Sequence, residues 1–86
     1  METMTRQEME SAIVRQLAQL FELPDAEPDV EQLNAKLGAE LDSMTFIRMV
    51  VGMEQRFGIA FKEEEMIMQQ FGTVERIRRK VEQALA

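Results

Sequence analysis

Leu41-Asp42-Ser43-Met44-Thr45-Phe46-Ile47-Arg48-Met49-Val50-Val51-Gly52-Met53-Glu54-Gln55-Arg56-Phe57-Gly58-Ile59 is the stretch on which the fold of this chain turns. At 100° per residue, Phe46, Met49, Val50, Met53 and Phe57 gather into roughly 100° of arc, the width of a core-facing helical stripe. Asp42 or Ser43 opens the helix, both being common N-cap residues, and Gly58 stands where helices end. A second apolar set, Met44, Ile47 and Val51, lies about 130° from the centre of the first. A helix of this length in a small bundle needs only one buried face. The second set therefore has two readings: the preceding segment folds over it, or another protein docks on it.

Working toward the N-terminus, the segment from Pro24 to Asp42 is the most acidic part of the chain. It holds Asp25, Glu27, Asp29, Glu31, Glu40 and Asp42 against a single Lys36. Val30, Leu33, Leu37 and Leu41 tie it to a core, and a short helical turn over 29–37 closed by Gly38 is compatible with that spacing. Before it, Thr5 and Glu8 form a capping-box pair. Met9, Ile13, Leu17, Leu20 and Phe21 then recur at helical spacing, which predicts a helix over about 5–21, ended by Pro24 and Pro28.

Toward the C-terminus, Phe61 and Phe71 bracket a short helix over about 62–70. Thr73 caps a final helix, about 73–85, whose stripe is Val74, Ile77, Val81 and Leu85. Arg78, Arg79 and Lys80 sit in its second half, where cations suit the helix dipole. No stretch alternates in the manner of a strand, and no repeat appears. The expected fold is all-α: one domain over 1–86, a small bundle of three main helices plus one or two short ones, with 22–41 as an acidic loop.

Composition removes most chemistry. The 86 residues include no His, Cys, Tyr or Trp, so the commonest general base, the thiolate nucleophile and the usual zinc ligands are all missing. No catalytic residue and no metal site is expected. Ten Lys plus Arg against sixteen Asp plus Glu leave −6, which repels nucleic acid. No apolar run approaches the roughly eighteen residues that cross a bilayer, and no leader pattern is visible, so a soluble, cytoplasmic protein without membrane insertion is expected. Eight Met and five Phe supply much of the apolar bulk, which makes an adaptable interior or interface.

Residues 41–59 resemble the second helix of acyl and peptidyl carrier proteins, whose signature is Asp-Ser-Leu/Met followed by an apolar-rich helix ending in Glu-x-x-Phe-Gly. Leu37-Gly38-Ala39 and Phe71-Gly72-Thr73-Val74-Glu75-Arg76-Ile77 look like the same family, and the resemblance covers about Val30 to Val81. It implies an acyl-carrier-like bundle, usually monomeric, with a 4′-phosphopantetheine arm on Ser43. It also implies a role for Asp42 in recognition by the phosphopantetheinyl transferase. In that family the transferase brings coenzyme A with Mg²⁺, and the serine hydroxyl attacks the proximal phosphate and expels adenosine bisphosphate. An acyl- or aminoacyl-activating ligase or adenylating enzyme then loads the arm's thiol, and downstream acyl-transfer enzymes unload it. The reactive sulfur missing from the sequence is thereby imported. Met44, Ile47, Arg48 and Val51 become the surface that those partners grip.

The chain departs from the family in charge. Fatty-acid-synthesis carriers show acids along this helix, whereas here two Arg (48 and 56) against one Glu (54) leave +1 over residues 43–57. A partner tuned to an acidic helix meets repulsion at Arg48, so a dedicated pathway is expected: polyketide, nonribosomal-peptide or D-alanyl-carrier-like. Phe46, Met49 and Met53 could fill the core or line a cavity for cargo; filling is the expectation for so small a bundle. The alternative is an unmodified helical adaptor of the same fold, in which Ser43 is only a helix cap.

Overall fold

The computed structural model describes residues 4–23 and 28–86. Pro24, Asp25 and Glu27, which belong to the acidic stretch of the sequence, lie outside the described residues. Four α-helices appear among the described residues: α1 (Arg6–Leu20), α2 (Val30–Glu40), α3 (Ser43–Phe57) and α4 (Val74–Leu85). Two 3₁₀ turns, Glu63–Glu65 and Met68–Phe71, connect α3 to α4. Each α-helix opens on an oxygen-bearing side chain that accepts a backbone N–H of its first turn, the group that has no partner within the helix. Thr5 accepts from Glu8 while Glu8 accepts from the Thr5 N–H, a complete capping box. Asp29 accepts from Gln32, Asp42 from Thr45 and Thr73 from Arg76.

The helix ends obey the same accounting. After α1, Leu23 N–H bonds to the Ala18 carbonyl and Glu22 N–H to that of Gln19, a Schellman closure with Glu22 at φ 53°. After α3, the Gly58 and Ile59 N–H groups both reach the Glu54 carbonyl, with Gly58 at φ 65°. Glycine adopts that left-handed conformation without strain; Glu22 adopts it against its Cβ.

The core gathers Met9, Ile13 and Leu17 of α1, Leu33 and Leu37 of α2, and Phe46, Met49, Val50 and Met53 of α3. Phe61, Phe71 and, from α4, Val74, Ile77 and Val81 complete it. Phe71 is its centre. The rings of Phe46 and Phe61 meet Phe71 edge-on at centroid distances of 5.2 and 5.5 Å, the arrangement that sets ring edges against ring faces. Phe46, Met49 and Met53 are buried parts of this packing. α1 packs against α3, α4 and α2, and α2 also touches α4.

The structure corrects the sequence reading in three places. Within the stretch expected as an acidic loop, Val30–Glu40 forms a full helix, α2, that passes through Gly38. Leu33 and Leu37 bury one face of it and Lys36 pairs with Glu40 at 2.8 Å, which together outweigh the cost of about 1 kcal/mol for one glycine. The expected helix over 62–70 divides into two 3₁₀ turns, because Met66 and Met68 both pack on the core. Two residues two positions apart share a side only when the residue between them, here Ile67 at φ −103°, ψ 114°, is extended. In α4 the stripe is Val74, Ile77, Arg78 and Val81, while Leu85 is exposed: it stays in register, but the core ends before it. Arg78 lays its stem in the stripe and turns its guanidinium to Glu82 and Glu75.

Candidate functional site

The site lies at the junction of α2 and α3. Glu40 ends α2, Leu41 is half-buried against the core, and Asp42 caps α3, so only two residues separate the helices. That short connection fixes the start of α3 in space. The Asp42 Oδ1 atom accepts the Thr45 N–H at 2.8 Å. This bond holds the Asp42 carboxyl below its ordinary value, and the positive charge of Arg48 adds a smaller push in the same direction.

Ser43 is therefore not the cap. It is the first residue of α3, exposed, and its hydroxyl takes no part in closing the helix start. This corrects the reading in which Ser43 serves only as an N-cap, since Asp42 satisfies that requirement. What remains at Ser43 is an accessible hydroxyl on the first turn of a 15-residue helix, where unpaired N–H groups and the positive dipole end favour an anion.

The second apolar set of α3 is open. Met44 is 66% exposed, Ile47 55% and Val51 44%. The leucines that were one candidate cover for it, Leu33 and Leu37, are instead buried in the core. Arg48, also exposed, stands on the same side of the helix. It borders a cleft of about 210 Å³ between α1 and α3, lined also by Gln16, Leu17, Gln19, Leu20 and Met49.

Glu54 has a role that composition alone does not reveal. Its carboxylate accepts the Phe61 N–H at 2.9 Å while its backbone carbonyl accepts from Gly58 and Ile59. The lone acid within α3 thus organises the exit of the helix and faces the chain's own loop. The spacing Glu54-x-x-Phe57-Gly58 carries the signal for it: acceptor, half-buried ring, left-handed glycine. Asn34 and Gln16 gave no such signal. Asn34 accepts the Val74 N–H from 40 residues away, and the Gln16 amide lies against Gly52, where an added Cβ would stand 2.7 Å from its Nε2 atom.

Comparison with known proteins agrees with this arrangement. The family model described as phosphopantetheine attachment site matches residues 11–81, from the first helix through most of α4. No curated protein and no solved structure matches the chain at a significant level. A family match that begins within α1, contains α2 and α3 and ends within α4, together with a helix start built around Asp42-Ser43, places this chain in the phosphopantetheine attachment site family, whose domains carry covalently attached 4′-phosphopantetheine.

Proposed function

We propose that the protein is a free-standing acyl or aminoacyl carrier that bears 4′-phosphopantetheine on Ser43. The observation that carries this reading is the division of labour at the head of α3: Asp42 holds the helix and leaves the Ser43 hydroxyl exposed. The residues present suit the group. A phosphodiester on Ser43 would lie at the N-terminal end of α3, next to N–H groups that have no partner within the helix. The group itself supplies a terminal thiol for thioester chemistry, which a chain without Cys lacks. Asp42 orients the first turn through Thr45 and presents a carboxylate beside the hydroxyl, in reach of a transferase and its Mg²⁺.

Met44, Ile47, Arg48 and Val51 form the surface for the transferase, the activating ligase and the downstream acyl-transfer enzymes, which would act on the protein in the cytoplasm. Arg48 and the loopward Glu54 favour a dedicated biosynthetic pathway over housekeeping fatty-acid synthesis, because this face offers a basic partner surface no acid along the helix.

The test is intact-protein mass measurement after incubation with coenzyme A, Mg²⁺ and a broad-specificity phosphopantetheinyl transferase. One phosphopantetheine should be gained by the wild type and none by Ser43→Ala, with both proteins melting at the same temperature because Asp42 is the cap. No gain on folded wild type with several transferases would move the assignment to an adaptor that uses the apolar patch alone.

A further inference from the structure

We infer that the docking surface of this protein extends beyond α3 into the cleft between α1 and α3, and that the partner fills that cleft with a carboxylate side chain set within an apolar patch. This rests on the carrier reading above and names the chemistry of the partner. Three observations carry it. The first is charge. On a chain of net −6, the cleft is lined by a guanidinium, two amides and three apolar side chains (Arg48, Gln16, Gln19, Leu17, Leu20 and Met49), with no carboxylate among them.

The second is that Arg48 is held in no ion pair; its charge reaches the exposed Asp42 carboxyl only from a distance, as the smallest of the influences on it. Every ion pair among the described residues lies within α2 or α4, and Arg48 belongs to none. The cations of α4 differ. Arg78 and Arg79 pair with Glu82 and Glu75, Arg76 donates to the Gln69 carbonyl, and Lys80 stands over the Phe71 ring. Arginine is among the side chains that most often anchor an interface, and its planar fork takes a carboxylate at two points.

The third is Gly52. Its missing side chain lets Gln16 lie across α3, so the Gln16 amide stands at the cleft as a further donor. The partner's apolar contact falls on Met44, Ile47 and Val51, and its acid enters beside Arg48.

The experiment is an amide-shift titration of ¹⁵N-labelled protein with two helical peptides that share one Leu/Phe face, one rimmed with Glu and the other with Lys. The Glu-rimmed peptide should shift residues of 16–20 and 44–52 and bind this face about fivefold or more tightly than the Lys-rimmed one. That is the size expected when an exposed ion pair replaces a like-charge contact. Arg48→Glu should invert the preference and Arg48→Gln abolish it. Gly52→Ala, which displaces Gln16 without changing charge, should weaken the Glu-rimmed peptide alone. Equal affinity of both peptides on this face overturns the inference, as does a Glu-rimmed peptide that maps onto Arg76, Arg79 and Lys80, or a preference that survives Arg48→Glu. Mass measurement of coenzyme A-dependent modification on the same samples separates the two readings. Modified protein with no peptide preference rejects only the cleft, and preference without modification rejects only the carrier.

Discussion

The side-chain oxygen of Asn34 accepts the backbone N–H of Val74 at 2.9 Å, across 40 residues of sequence. Val74 is buried at the first turn of α4, where its N–H has no partner inside the helix. One amide in the middle of α2 thus pins the start of α4. Asn34→Ala should lower stability by about 1–2 kcal/mol, the cost of leaving a buried donor unsatisfied. Asn34→Asp keeps the acceptor and adds a negative charge at a helix N-terminus, so at neutral pH it should retain most of that stability. Urea unfolding of the three proteins at pH 7 checks both expectations.

Glu22 and Gly58 occupy equivalent left-handed positions after α1 and α3, at φ 53° and 65°. Only one of them is a glycine. Glu22→Gly should raise stability by about 0.5–1 kcal/mol, and Gly58→Ala should lower it by about 1 kcal/mol. Thermal melts of the pair, with the wild type between them, read the two signs in one experiment.

Gly38 is exposed within α2, and nothing lies within 4 Å of the place where a Cβ would go. Alanine there meets no neighbour and restricts the unfolded chain, so Gly38→Ala should add about 0.5–1 kcal/mol. Slower amide exchange from 30 to 40 would show that the gain lies in α2.

The Asp42 carboxyl titrates below its ordinary 3.8, chiefly because it accepts the Thr45 N–H, and Glu8 titrates below 4.5 because it accepts from Thr5. For both, the folded value lies under the unfolded one. The stability they provide is therefore fully present above those ordinary values and is lost as pH falls through the lowered ones. Melting temperature should fall on acidification below about pH 4.5. Asp42→Asn, which still caps but does not titrate, should flatten part of that fall. An acid fall equally steep in the variant would contradict the role given to Asp42.

Periodicity made the helices legible wherever an apolar stripe and a cap coincided. The core stripe of α3, the capping box at Thr5 and Glu8, and the stop at Gly58 are all local signals, and the structure carries each of them. The second face of α3 was legible as a geometric surplus; only packing decided that Leu33 and Leu37 turn inward and leave it open. What escaped the sequence is tertiary. The helix through Gly38 depends on burial of Leu33 and Leu37, which overrides a local breaker. The split near Ile67 depends on two methionines reaching the same core. At the site, two adjacent residues both suited to capping could not be ranked from their types. The fold ranks them: with Leu41 drawn toward the core, Asp42 takes the cap and Ser43 the first helical turn. Asn34, Gln16 and Glu54 act on backbone or glycine positions, so no residue-type pattern beyond the Glu-x-x-Phe-Gly spacing points to them.

The separation of tasks between Asp42 and Ser43 has a thermodynamic corollary. The Ser43 hydroxyl supports no part of the helix start, so its presence or removal leaves the balance between folded and unfolded chain where it was. An anion joined to it is a different matter, because it would meet the positive end of the α3 dipole and weight that balance toward the folded chain. On the carrier proposal, blank molecules would already fold fully, and the armed ones would only be harder to unfold.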